Sequence, residues 1–307
     1  MKFGRLVFDS FRKKEKGLVH LLSHAHRDHT NGLTNNWSEA PILCTEITTK
    51  VIRAQYPGIP EALFISKQPG DLVELDAIEI QIAEANHCPG SVMFSCRSHR
   101  NQRKIVFTGD FRMNASIREN IDLLKNAEVM YLDCTFNQPV FRFPSQKQAI
   151  TEVIKLIEQN ADRKIHLGVY SIGKNKLIQA ISEYFQTSVY TPPNLYKIFD
   201  VIGMRKFVTM EQDAWIHSYP GQYIGTRHQK SGEIVRISPT GWACRFRSQP
   251  EKNRYYVPYS EHNDYKTLHE FVQLTKPKEI VPICGTWTLP VSQVGRERKK
   301  PYQSTFL

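Results

Sequence analysis

The chain has 307 residues, 40% hydrophobic and 23% charged, with a formal net charge of +11. That is a globular composition with room for one large domain or two joined ones. No apolar run approaches the ~20 residues of a membrane span, so no membrane partner is expected, and the positive balance favours a polyanion.

The start, Met1-Lys2-Phe3-Gly4, runs directly into a strand-like segment without a signal-peptide pattern. Cys44, Cys88, Cys96, Cys134, Cys244 and Cys284 are scattered and form no CxxC pair, which reads as buried thiols in a reducing compartment. Phe3 to Phe8 is expected to be a strand with Asp9 at its end. A second apolar run, Gly17 to Leu22, leads into Ser23-His24-Ala25-His26-Arg27-Asp28-His29. Residues two apart in extended chain share a side, so His24 and His26 point together. Once the chain turns, Asp28 and His29 can face a second position nearby. Imidazole with carboxylate suits zinc and related divalent ions. A polar loop with accidental histidines would explain one His-x-His, not the complete pattern. Asn31-Gly32-Leu33 reads as a turn into a helix.

Ile42 to Cys44 reads as a strand and Thr45 to Tyr56 as a helix capped by Thr45 and broken at Pro57-Gly58 and Pro60. Ile78, Ile80 and Ile82 alternate with polar neighbours, the pattern of a half-buried strand. It runs into Ala85-Asn86-His87-Cys88-Pro89-Gly90-Ser91, where the Pro-Gly turn sets His87 at a strand end. Lys104 to Phe107 is a strand ending in Thr108-Gly109-Asp110-Phe111-Arg112, and Asp110 is expected to bridge two metals. Val129 to Leu132 ends in Asp133. Strand ends of layered α/β proteins gather ligands, and these successive ends all carry imidazole or carboxylate.

Composition shifts at Pro144-Ser145, which caps an expected helix from Gln146 to Asn160 with Ile150, Val153, Ile154 and Ile157 on one face. Lys164 to Tyr170 reads as a buried strand. Ser171-Ile172-Gly173-Lys174 opens a helix to Phe185. It lacks the upstream glycine of a P-loop, so no nucleotide cofactor is expected. A lysine at a helix start could instead seat a phosphate; a solvated lysine is the plain alternative. A βαβα succession continues through Val189, 195–202 and Phe207, with strands at Trp215 to His217 and Glu233 to Ile237. Trp242, in Ser238-Pro239-Thr240-Gly241-Trp242, either stacks a base or packs at the core edge, and packing is preferred. Tyr255 to Tyr259 is a strand. Ser260-Glu261-His262-Asn263-Asp264 opens a helix to Leu274, and Glu279 to Ile283 is the last strand. Arg296, Arg298, Lys299 and Lys300 form a basic tail cluster.

Together these phrases resemble the metallo-β-lactamase/β-CASP family, in the branch of DNA cross-link-repair nucleases that includes Apollo and Artemis. Asp9, the 24–29 loop, Ala85 to Ser91 and Thr108 to Arg112 are similar to four metallo-β-lactamase motifs. Asp133 and Pro258-Tyr259-Ser260-Glu261-His262 are similar to the first and second β-CASP motifs. Ser171 to Lys174 and Pro239 to Trp242 are further family phrases. The resemblance spans nearly the whole chain. It implies an α/β fold, an αββα core over 1–142 and 256–307 with a β-CASP insert at 143–255.

The resemblance also implies a ligand set. His24, His26, His87 and Asp110 would hold one zinc; Asp28, His29 and Asp110 would hold a second ion, zinc or Mg2+ or Mn2+, more loosely. His262, oriented by Asp133, would act as general acid. Asp9 would support the metal ligands, and Ser171, Lys174, Thr240, Trp242 and His217 are candidates for substrate contact. The chain departs from the family at Cys284, where DNA-processing members carry Val and RNA-processing members His, and at Asn175, where relatives often have Glu. Cys284 is expected to be an inert buried thiol. The implied activity is 5′-to-3′ hydrolysis of 5′-phosphorylated DNA, single- or double-stranded, by a nuclear monomer in DNA repair. Alternatives are an Artemis-like endonuclease, an RNA-processing relative, a small thioester or lactam hydrolase, and a non-catalytic DNA-end-binding scaffold.

Overall fold

The structure, a computed structural model, describes residues 1–12, 15–169, 172–219, 234–246 and 253–287. It is built on three sheets. The first is five-stranded, with β1 (Lys2–Phe3), β2 (Leu6–Phe8), β3 (Val19–Leu21), β4 (Ile42–Thr45) and β5 (Phe64–Lys67) side by side in chain order. The expected 3–8 strand is thus two short strands, folded back antiparallel at Gly4. The second sheet runs β6 (Leu72–Leu75), β7 (Ile78–Glu84), β8 (Val92–Ser98), β9 (Lys104–Phe107) and β10 (Val129–Cys134) in spatial sequence.

The third sheet is wholly parallel, in the order β13-β12-β14-β11-β15-β16. Its strands are β11 (Lys164–Gly168), β12 (Val189–Tyr190), β13 (Val208–Thr209), β14 (Ile216–Tyr219), β15 (Ile234–Pro239) and β16 (Arg254–Val257). The chain then returns, and β17 (Glu279–Gly285) pairs parallel with β10 at the edge of the second sheet.

Sheets one and two face each other. Leu6, Phe8, Leu21 and Leu43 from one meet Ile80, Ile82, Phe94 and Phe107 from the other in a common buried cluster. Burying each such side chain is worth about 1.5–3 kcal/mol. The outer face of sheet one is covered by α1 (Glu46–Gln55) and Trp37. The outer face of sheet two is covered by α2 (Ala115–Glu119) and α6 (Tyr265–Thr275). The layering is therefore helix, sheet, sheet, helix. In the third sheet, Ile165, Leu167, Val235 and Ile237 pack on α3 (Gln146–Glu158), α4 (Asn175–Phe185) and α5 (Pro193–Val201).

Local signals explain the helices. Thr45 caps α1 through its hydroxyl, and Ser145 with Gln148 forms a capping box on α3. Asp264 caps α6. No helix follows Leu33: residues 27–37 form a run of turns, because Trp37 and Leu33 bury themselves from a compact loop against Phe11.

Candidate metal centre

Every loop that resembled a ligand motif leaves a strand on the same rim of the two-sheet sandwich. The 24–29 loop follows β3, His87 follows β7, Asp110 follows β9, and Asp133 lies near the end of β10. Gly109 makes the approach possible: its φ is +51°, and a Cβ there would lie 2.6 Å from the Ser23 side chain.

Three imidazoles converge. His24 Nε2 lies 2.9 Å from His26 Nδ1, and His87 Nε2 lies 3.0 Å from the same atom. Their outer nitrogens fix the tautomers. His26 Nε2 donates to the Ile172 carbonyl at 2.5 Å, and His87 Nδ1 donates to the Glu261 carbonyl at 3.0 Å. The Ser23 hydroxyl gives its proton to Asp9, so His24 Nδ1 is the donor to Ser23 Oγ. The inner nitrogens are then lone pairs aimed at one another. Burial holds all three rings below the usual histidine range, with His87 lowered to about 3. Asp110 Oδ2 joins them, 3.7 Å from His24 and 3.6 Å from His87. Lone pairs and a carboxylate meeting at one point are satisfied by a cation, and imidazole donors suit zinc or a related divalent ion.

A second donor set abuts the first. His29 Nδ1 donates to Asp9 Oδ2 at 2.6 Å, which turns Nε2 toward Asp28 and Asp110, each 3.5 Å away. Burial would lower His29, but the Asp110 and Asp9 carboxylates outweigh it and raise it well above the usual range. Asp110 is shared by both groups, and both could hold a metal. Asp28 is the exposed member, 67% at its side chain, so the second position is the more open.

Next to these lies His262. Its Nδ1 donates to Asp133 Oδ2 at 2.7 Å, and its Nε2 stands 3.9 Å from Asp110. Burial opposes charge on this ring, yet Asp133 and Asp110 raise it to about 9. The other oxygen of Asp133 accepts from the Thr135 hydroxyl at 2.6 Å, from the Thr135 N–H at 3.0 Å and from the Cys284 thiol at 3.2 Å. Cys284 is half-buried rather than fully buried, and its thiol is engaged by Asp133. Its protonated form is favoured by burial and the acidic neighbours.

The substrate-contact candidates fare differently. Lys174 is buried, and its ammonium bonds the Gly168 carbonyl at 3.0 Å instead of standing at the surface as a phosphate seat. Its backbone N–H donates to Glu261 at 2.6 Å. The helix itself starts at Asn175, with Lys174 in the left-handed region, so the expected opening at 171 is early by a turn. Ser171 lies outside the described residues, as does the basic tail cluster. His217 lies on β14 of the third sheet, stacked beside His166. Thr240 caps a 3-10 turn, its hydroxyl accepting from Trp242 N–H at 3.4 Å. Trp242 is 44% exposed, not packed away. The sequence reading overlooked the carbonyl of Ile172 and the carboxylate of Glu261. Main-chain acceptors leave no sequence signal; Glu261, beside a candidate His, could have been suspected.

Comparison with known proteins agrees with this geometry. Residues 202–285 match the family model described as DNA repair metallo-beta-lactamase. Rat 5′ exonuclease Apollo is 31% identical over 301 residues, covering 91% of this chain and 54% of Apollo. The chain is similar to DNA repair metallo-β-lactamases. Human DNA cross-link repair 1A protein is 28% identical, over 88% of this chain and 28% of that protein. Arabidopsis thaliana DNA ligase 6 is 28% identical, over 91% of the chain and 22% of the ligase. The chain thus spans about half of Apollo's length and less of the others. A crystal structure of a protein of unknown function from Enterococcus faecalis V583 superposes with a TM-score of 0.59, covering 87% of this chain and 75% of that one. At 16% identity it speaks for the fold alone.

Proposed function

We propose that this chain is a metal-dependent DNA nuclease of DNA repair, removing nucleotides 5′ to 3′ from strands with a 5′-phosphate. The observation that carries the reading is the convergence of three histidine lone pairs and Asp110 beside an aspartate-held histidine. The names of similar proteins, 5′ exonuclease Apollo and DNA cross-link repair 1A protein, supply the substrate class.

We assign His24, His26, His87 and Asp110 to a zinc ion, and Asp28, His29 and Asp110 to a second ion, zinc or Mg2+ or Mn2+. When bound, such ions acidify a water and neutralise charge on phosphate oxygens. The protein's own groups do the rest. Asp9 anchors Ser23 and His29, and so fixes two ligands at once. His262, charged at neutral pH through Asp133, donates a proton to the leaving oxygen. The +11 charge favours the polyanionic backbone, and binding should fall steeply with salt.

We further assign residues 143–255 to an inserted β-CASP domain. Support comes from the third sheet, whose strands run from Lys164 to Val257 before β17 rejoins the second sheet. A nuclear, monomeric enzyme fits this reading. Among the described residues no helix is long and apolar enough to cross a membrane.

The test is digestion of 3′-labelled single-stranded DNA bearing a 5′-phosphate or a 5′-hydroxyl, with metal content measured in parallel. A phosphate-dependent ladder that disappears in Asp28→Ala plus His29→Ala is expected. One internal cut, indifferent to the 5′ end, would replace the exonuclease with an endonuclease.

A further inference from the structure

A group of aromatic rings beside the His262–Asp133 pair has no part in the proton chemistry. Phe136 makes the link: its ring centroid is 5.6 Å from that of His262 and 5.1 Å from that of Trp242. Trp242 also meets Phe141 edge-on at 5.5 Å. Two contacts between rings therefore separate an indole from the proposed general acid.

The indole is not buried by them. Trp242 remains 44% exposed, and Phe246, four residues on, 52% exposed. Between them in sequence lies Arg245. Its guanidinium stands 5.4 Å from the Trp242 ring and 4.9 Å from the Phe141 ring, and bonds the Gln138 side chain. The position is built, not accidental. Gly241 sits so close to Phe136 that a Cβ would lie 2.5 Å from its ring, and the Thr240 hydroxyl caps the turn that carries Trp242. A large apolar ring held firmly in water, with a cation over it, suits a flat apolar partner that is joined to negative charge. A nucleobase attached to its phosphate has both properties, and base stacking tolerates any sequence.

We propose that Trp242, backed by Phe136 and Phe141 and flanked by Arg245, stacks an unpaired nucleobase of the strand whose phosphodiester lies at His262. The inference rests on the nuclease reading above and adds a determinant of substrate form. A base can reach the indole only when it leaves its partner, so the site favours single-stranded and frayed ends. Arg245 meets the phosphate beside that base.

Wild type, Trp242→Ala and Trp242→Phe are compared on a 5′-phosphorylated single strand and on the same strand with abasic residues at its first three nucleotides. Metal content and thermal melting report folding of each variant. Trp242→Ala is expected to lower kcat/KM on the intact strand about tenfold, mainly through KM, with Trp242→Phe retaining most of it. On the abasic strand wild type and Trp242→Ala should converge. An equal loss on both strands would assign Trp242 a structural role and overturn the proposal, as would no loss on either. Failure of the wild type to cut any DNA would instead remove the nuclease reading, and this proposal with it.

Discussion

Among the described residues two groups of histidines are largely withdrawn from solvent, and their surroundings differ. At the sandwich rim, His24, His26, His29 and His87 stand among Asp9, Asp28 and Asp110. In the third sheet, His166 and His217 stack 5.6 Å apart, in register with Tyr190 and Arg236 on neighbouring strands. The nearest charges there are positive, Lys164 and Arg236, which together with burial and His217 hold His166 at about 4. Both groups are desolvated; only the first has carboxylates. Burial alone makes a neutral aromatic ring, while burial with carboxylates makes a place for a cation or a proton.

Removing the carboxylate should therefore do most damage. Asp110→Ala deletes the group shared by both donor sets, and nuclease activity is expected to fall about 10⁴-fold with loss of bound metal. Chelation of the wild type should give the same result, reversed by added zinc, as measured by single-strand digestion and elemental analysis. His262→Gln is expected to cost about 10³-fold in kcat while the metal stays bound, since the contribution proposed for it is a proton. Loss of metal in His262→Gln would make His262 a ligand rather than an acid.

These first effects fall on residues that the sequence marked, because each ligand motif is a short local phrase at a strand end. His24 to His29 and the turns around His87 and Asp110 have periodicity and turn chemistry behind them. What the sequence did not carry is contact between distant segments. The carbonyl of Ile172 orients His26 from 146 residues away, and the thiol of Cys284 reaches Asp133 across adjacent strands. Lys174 illustrates the same limit. Its inward turn depends on the Gly168 carbonyl beneath it, which charge and helix position alone do not disclose. The strands β5 and β6 escaped because four residues give little usable period, and β8 because its run of buried residues does not alternate.

The third-sheet histidines give a smaller effect, with a defined sign. His166 has a folded pKa of about 4 against 6.5 when unfolded, so the unfolded chain binds the extra proton between those values. Stability is full above pH 6.5 and declines as the pH falls toward 4. His166→Asn should flatten that decline by about 1–2 kcal/mol, discounted for partial solvent access. The check is urea unfolding of both proteins at pH 7 and pH 4.5. Parallel profiles would mean that the ring is already charged in the fold, and the contrast between the two groups would disappear. Tyr219→Glu offers the converse, since a carboxylate beside His166, whose ring lies 4.6 Å from Tyr219, should raise its NMR-measured pKa.

The smallest effect is expected at Cys284. Asp133 keeps four other donors on its carboxylate, His262 and the Phe111 N–H on one oxygen and two from Thr135 on the other, when the thiol is lost. A thiol is a weak donor, so Cys284→Val should lower kcat less than about threefold by the usual scale of one weak hydrogen bond. The measurement is single-turnover cleavage of 5′-phosphorylated DNA across pH, with Cys284→Asp as the contrasting variant. Aspartate would put a second negative charge against Asp133 and perturb His262 far more. If Val cost as much as Asp, the thiol itself would be indispensable to the dyad, and the carboxylate would no longer account for the charge on His262.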